Sequence, residues 1–160
     1  MAASEWYHQK MAIVGTIDPA VMSTSGGTAS TTSAWTDAID MDVFEKAIFI
    51  VQTNTVAASS GVTLTVYADA NSATTAMTVA IATSTTLVNA NDDSQLWLEI
   101  DTEDMNVDAR DRYVRGKLVV APTAGTKGTA TVSAVVLGAN TRYHPASDYD
   151  LATVAEISNS

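Results

Sequence analysis

Apolar and polar residues alternate with a period of two along most of the chain, and that period predicts β-strands. The clearest case is Val62 to Asp69. Val62, Leu64, Val66 and Ala68 fall on one side, and Thr63, Thr65, Tyr67 and Asp69 on the other. Gln95 to Asp101 repeats the pattern, with Leu96, Leu98 and Ile100 opposite Trp97, Glu99 and Asp101. Further on, Val114, Leu118 and Val120 oppose Tyr113, Arg115 and Lys117. Thr129 to Gly138 sets Ala130, Val132, Ala134 and Val136 against Val135 and Leu137. Ala47 to Thr53 is apolar on both faces, as expected of a central strand. Weaker strand signals lie at Met11 to Gly15, at Trp35 to Met41 (Trp35, Ile39 and Met41 on one face, Asp37 the exception), and on a face made by Thr75, Met77, Val79 and Ile81.

Turn chemistry separates these segments at Asp18-Pro19, Ser59-Ser60-Gly61, Ala70-Asn71-Ser72 and Pro122 to Gly128. The two strands flanking Pro122 to Gly128 are predicted to pair as the central hairpin of the fold. About seven or eight short strands, with no sustained 3.6-residue period, predict an all-β, single-domain antiparallel β-sandwich or jelly roll. The predicted organisation is an N-terminal arm with a first short strand (1–33), a sandwich core (34–145) and a C-terminal tail (146–160). Residues 23–33 are small and polar, consistent with a loop or extended arm. In the tail, Ser147 or Asp148 either caps a short helix that places Leu151, Val154 and Ile157 on one stripe, or the segment extends as an arm.

Composition narrows the function. A chain of 160 residues fits one domain and needs no metal or disulfide to fold. It has no cysteine, which removes a disulfide framework, a zinc-thiolate site and a cysteine nucleophile together. A net charge of −10 opposes binding to nucleic acid and to anionic membranes, so neither is an expected partner. Met1 to Lys10 has no apolar secretory core, and no apolar run approaches the roughly 18 residues of a membrane span. Six of the eight basic residues cluster late in the chain: Arg110, Arg112, Arg115, Lys117, Lys127 and Arg142. Arg115 and Lys117 share a strand face and are expected to pair with Glu99 and Asp101 on a neighbouring strand.

Catalytic and metal chemistry find little support. Eight carboxylates lie between Asp92 and Asp111, without the spacing or glycine of an EF-hand; a solvated loop partly neutralised by Arg110 and Arg112 is expected instead. Glycosidase chemistry would need two of these acids placed across a cleft. His8 and His144 are the only histidines and have no neighbour at metal-ligand spacing. There is no Gly-x-Ser-x-Gly elbow, and Gly125 to Gly128 lacks the frame of a phosphate loop. The expectation is therefore a non-enzyme with no catalytic, metal or cofactor-binding residue and no cofactor. Aromatic and basic residues at strand faces and arms serve as interface anchors. The candidate interface set is Trp6, Tyr7, Trp35, Trp97, Arg115, Lys117, Arg142, Tyr143, Tyr149 and Leu151. A sugar-binding role for the scattered tryptophans is the alternative.

One set of motifs resembles a known group. Arg112-Tyr113-Val114-Arg115-Gly116-Lys117-Leu118-Val119-Val120, then Thr131 to Gly138 ending in Leu137-Gly138, then Arg142-Tyr143-His144-Pro145, resembles small structural proteins of tailed bacteriophages. Upstream, Ile39-Asp40-Met41 and Phe44-Glu45-Lys46-Ala47 add to the similarity, which spans roughly residues 35–145. The resemblance implies a head decoration (cement) protein of jelly-roll fold. Such a protein would sit on the capsid exterior of the virion after synthesis in the host cytoplasm. It would bind the major capsid protein and form a homo-oligomer, with a trimer favoured. Other virion roles, in a tail, fibre or head–tail junction, are the neighbouring alternatives.

Overall fold

The computed structural model describes residues 10–24, 31–72, 77–105, 111–123 and 127–142. Nine strands follow in chain order: β1 (Met11–Ser23), β2 (Thr32–Trp35), β3 (Ile39–Asp40), β4 (Phe44–Val56), β5 (Ser60–Asp69), β6 (Val79–Thr83), β7 (Gln95–Asp101), β8 (Tyr113–Pro122) and β9 (Thr129–Thr141). Single 3₁₀ turns at Asn89–Asn91 and Thr102–Asp104 flank β7.

The strands form two antiparallel sheets. The first has the order β1-β9-β4-β7 and the second β2-β8-β5-β6. β2 and β3 both pair with β8 and act as one interrupted edge, so each sheet is four strands wide. The pairs β1·β9, β2/β3·β8, β4·β7 and β5·β6 are those of one long hairpin folded over on itself. The additional pairs β4·β9 and β5·β8 then close each sheet. That is jelly-roll topology, and it confirms the sandwich predicted from the period-two pattern.

The alternation sends the predicted residues inward. Val62, Leu64, Val66 and Ala68 from β5, Val114, Leu118 and Val120 from β8, and Ala130, Val132, Ala134 and Val136 from β9 are all buried. Phe49 of β4 sits at the centre, and its ring reaches across the sandwich to Gly116 of β8. A Cβ at Gly116 would lie 2.9 Å from that ring. Glycine there makes room for an aromatic side chain within the roughly 10 Å between stacked sheets.

Three expectations change. The strands around Pro122 to Gly128 do not form a hairpin: β8 lies in the second sheet and β9 in the first. Each already has partners on both sides and offers the other no free edge, so the connection crosses between sheets. It is tied down by side chains from elsewhere. Thr24 Oγ1 accepts from Gly128 N at 2.8 Å, and the fully buried Ser60 Oγ accepts from Thr129 N at 2.6 Å. Second, Asp18-Pro19 is not a turn. β1 runs through it as an edge strand, with a bulge between Ile17 and Ala20. Proline is tolerated there because an edge position does not require its missing N–H. Third, Val79 is 45% exposed rather than sharing the buried face of Met77. β6 is an edge strand whose register shifts at Val66/Tyr67, and the shift breaks the alternation.

Candidate functional site

Residues that point away from the core define two outer faces. On the second sheet, β2 and β8 bring Trp35 directly opposite Lys117, and β5 brings Tyr67 opposite Arg115. The rings of Trp35 and Tyr67 lie 5.3 Å apart at 52°. The Arg115 guanidinium and the Lys117 ammonium each lie 5.3 Å from the Trp35 ring, within cation–π range. The cluster is held from beneath. Arg115 Nε donates to Thr36 O at 2.9 Å, and the buried Thr36 exchanges bonds with Gly116 through Thr36 N to Gly116 O (2.9 Å) and Gly116 N to Thr36 Oγ1 (3.0 Å). Trp35, Arg115 and Lys117 from the predicted interface set therefore meet at one place.

Arg115 and Lys117 do not pair with Glu99 and Asp101, which project from the outer face of the other sheet. Lys46 of β4 takes both acids instead: its ammonium hydrogen-bonds Glu99, and Asp101 at 3.2 Å. The register sets this, because Lys46 opposes Asp101 and Ile48 opposes Glu99. The hydrogen bonds to Glu99 and then Asp101 raise the Lys46 pKa above its ordinary value. Likewise, the ion pairs of Arg112 among the described residues lie outside the acidic segment, and Arg110 lies outside the described residues. Arg112 grips Asp40 through two nitrogens, with Nε to Oδ1 at 2.8 Å, and lies 3.2 Å from Asp42. The bond to Asp40 is the main cause of its raised pKa.

The outer face of the first sheet is more apolar. Two rows cross its four strands, Ile13–Leu137–Ile48–Glu99 and Thr16–Val135–Ile50–Trp97. Trp97 is 64% exposed and sits far from Trp35, on the opposite side of the sandwich. A third row holds Ser133, Gln52 and Gln95, and an open groove of about 310 Å³ runs over it. Arg142 is exposed at the end of the sandwich, its backbone N bonded to Val43 O at 2.9 Å, beside a polar cleft shared with Glu45 and Glu103. Trp6, Tyr7, Tyr143, Tyr149 and Leu151 lie outside the described residues.

Two of the acids from Asp92 onward fix local structure. Asp92 Oδ1 accepts from Val56 N at 2.6 Å and ends β4. Asp104 Oδ2 accepts from Asp101 N at 3.0 Å and closes the second 3₁₀ turn. Among the described residues no three His, Cys, Asp or Glu side chains converge to hold a metal ion. Tyr67, Gln52 and Gln95 were not singled out from sequence. Each is one of several alternating polar strand residues, and only the cross-strand register shows which ones share a face with a tryptophan.

The strand order defines a jelly roll with two outward faces. No protein-family model matches the sequence, and no curated protein matches it. Solved structures do share the fold. A chain from the infectious bursal disease virus Gt strain is 16% identical with a TM-score of 0.53, over 86% of this chain and 33% of that one. A chain from T=1 particles derived from infectious bursal virus is 19% identical with a TM-score of 0.50, over 82% and 32%. The chain thus spans about a third of the length of the structures it matches.

Proposed function

We propose that this chain is a structural protein of a virus particle, and more closely a decoration protein on the outside of a tailed-phage head. The observation that carries this reading is the jelly roll, shared over 86% of the chain with a chain from a virus particle. The motif resemblance between residues 35 and 145 points the same way. The described residues offer contact surfaces suited to such a role.

The face built by Trp35, Tyr67, Arg115 and Lys117 is assigned the contact with the major capsid protein. It is a positive, aromatic spot in a chain of net charge −10. Aromatic and arginine side chains anchor interfaces because they bury much area at little entropy cost. Arg115 is preorganised by its bond to Thr36, which lowers that cost further. Arg142, and the candidate residues Trp6, Tyr7, Tyr143, Tyr149 and Leu151, would add contacts with the shell or with further copies in a homo-oligomer, a trimer being favoured. Each bound copy bridges shell subunits and stabilises the assembled head by mass action. At a free concentration 100-fold above Kd this is worth about 2.7 kcal/mol per site. The chain carries no enzymatic role.

The test mixes purified protein with mature heads and with heads lacking decoration, and reads co-sedimentation and heat resistance. Binding that raises the temperature of head disruption, and that is lost in Lys117→Glu, is expected. Failure to bind either kind of head overturns the proposal.

A further inference from the structure

The outer face of the first sheet is not used by a shell contact through Trp35. We propose that its groove, together with the exposed Trp97 beside Gln95, is a binding site for a neutral saccharide. The groove holds about 310 Å³, at the lower end of the range for small-ligand sites. Its floor is the Ser133–Gln52–Gln95 row, and Asn54 and Thr131 extend it. The wall on one side is Pro19, carried by the β1 bulge; on the other it is Asp93, whose φ of 55° turns the chain into β7.

The chemistry suits sugar hydroxyls. Gln52, Thr131 and Ser133 have no side-chain hydrogen bond among the described residues. Gln95 accepts only a long one, from Trp97 Nε1 at 3.4 Å. Amide and hydroxyl groups can both donate and accept, which matches the mixed character of a hydroxyl array. The same long bond places the indole next to the groove. An exposed indole offers a π face to the apolar C–H face of a sugar ring. Ile50 and Val135 continue the row from Trp97 and keep its surroundings apolar.

The charge excludes other ligands. Asp93 lines the groove, no cation among the described residues does, and the whole chain is acidic, so anionic glycans and nucleic acid are repelled. A protein partner would be anchored on the adjoining apolar residues Leu137, Ile48, Val135 and Ile50 rather than on the polar floor of the groove.

Affinity electrophoresis of the whole protein in native gels tests the site, with dextran, mannan and galactomannan as neutral probes and alginate as an anionic one. At least one neutral polysaccharide should retard the protein and alginate should not. Trp97→Ala and Gln52→Ala should each weaken retardation about tenfold or more, while Trp35→Ala should leave it unchanged. Gln52 and Trp97 are both exposed, so thermal unfolding of these variants should match the parent. No retardation by any neutral probe overturns the proposal, as does retardation that survives both groove variants or is stronger with alginate. Loss of head binding in Trp97→Ala without saccharide binding would make this face a protein contact and overturn it as well. Because this test needs no heads, its failure is distinct from failure of the decoration role.

Discussion

Substituting Gly138 by alanine tests the packing that holds the first sheet together. Gly138 faces the core from β9, between Ala12 of β1 and Ala47 of β4. The ring of Phe44 lies against this row of small residues. A Cβ on Gly138 would stand 2.6 Å from Phe44 Cδ1 and 2.7 Å from Cε1 and Cγ. Ordinary contact begins near 3.4 Å, so the shortfall is about 0.8 Å at three atoms of one rigid ring. Phe44 is only 3% exposed and has little room to retreat. Overpacking of this kind costs about 1–3 kcal/mol, and contact at three ring atoms puts it at the upper end. Relief of glycine's entropy cost in a strand returns about 0.5–1 kcal/mol. The net expectation is a loss of about 2 kcal/mol, which lowers Tm by about 4–8 °C for a chain of this size. Urea and thermal unfolding of Gly138→Ala, Phe44→Ala and the double variant measure it. Phe44→Ala alone should cost about 3–5 kcal/mol. The double variant should be more stable than the sum of the singles predicts, by about 1–2 kcal/mol, because the new methyl fills part of the space the ring leaves. A Gly138→Ala protein as stable as the parent, or strict additivity in the cycle, refutes the packing argument.

Other elements give further expectations. Ser60→Ala strips the buried partner from Thr129 N–H and should cost about 1–3 kcal/mol in urea unfolding; a neutral result would mean that the crossover between β8 and β9 is held elsewhere. Asp92→Ala should cost about 1–2 kcal/mol by removing the acceptor of Val56 N–H, whereas Asp92→Asn keeps an acceptor and should stay within about 0.5 kcal/mol of the parent. For Lys46 the sign follows from a folded pKa raised above the ordinary 10.5. Its contribution is complete below 10.5 and is lost as pH climbs through the raised value. The difference in urea midpoint between the parent and Lys46→Met should therefore hold from about pH 7 to about pH 10 and shrink beyond it. A difference that persists to about pH 12 would show that the ammonium is not its source.

What could be read from sequence divides along physical lines. Local patterning made the strands β4, β5, β7, β8 and β9 legible, and period-two alternation gave the inward residues of all of them but β4, whose segment is apolar on both faces. Sheet membership is not local. Nothing in Val114 to Gly138 records that β8 and β9 already have partners on both edges, and the same turn residues serve a hairpin or a crossover. Charge pairing failed for the same reason. Arg115 and Lys117 are near Glu99 and Asp101 in sequence pattern but on opposite sides of the sandwich, and it was the register of β4 that delivered Lys46 to those acids. The Asp18-Pro19 step carries a genuine turn signal; pairing with β9 on both sides of it turned that signal into a bulge. That bulge then supplies a wall of the groove, which no local pattern could announce.

The motifs behind the phage resemblance separate into two kinds of residue. Val114, Gly116, Leu118 and Gly138 face the core, and both glycines are there for the rings of Phe49 and Phe44, the only phenylalanines in the chain. Any sandwich with the same aromatic-on-glycine packing would select them, so these positions report the fold and not the partner. Arg115 and Lys117 alternate with them and contribute nothing to the core; both cations meet Trp35, and Arg115 also donates to Thr36 O. Function should therefore follow the outward half of the motif. Lys117→Glu changes a half-buried outward position and gives up a cation–π contact worth about 0.5–1 kcal/mol, so Tm should fall by only about 1–4 °C while head binding is lost. Gly138→Ala should do the opposite, lowering Tm while leaving head binding intact at temperatures where the protein remains folded. If Lys117→Glu binds heads normally, the motif is a packing signature alone, and the shell contact must be sought away from this face.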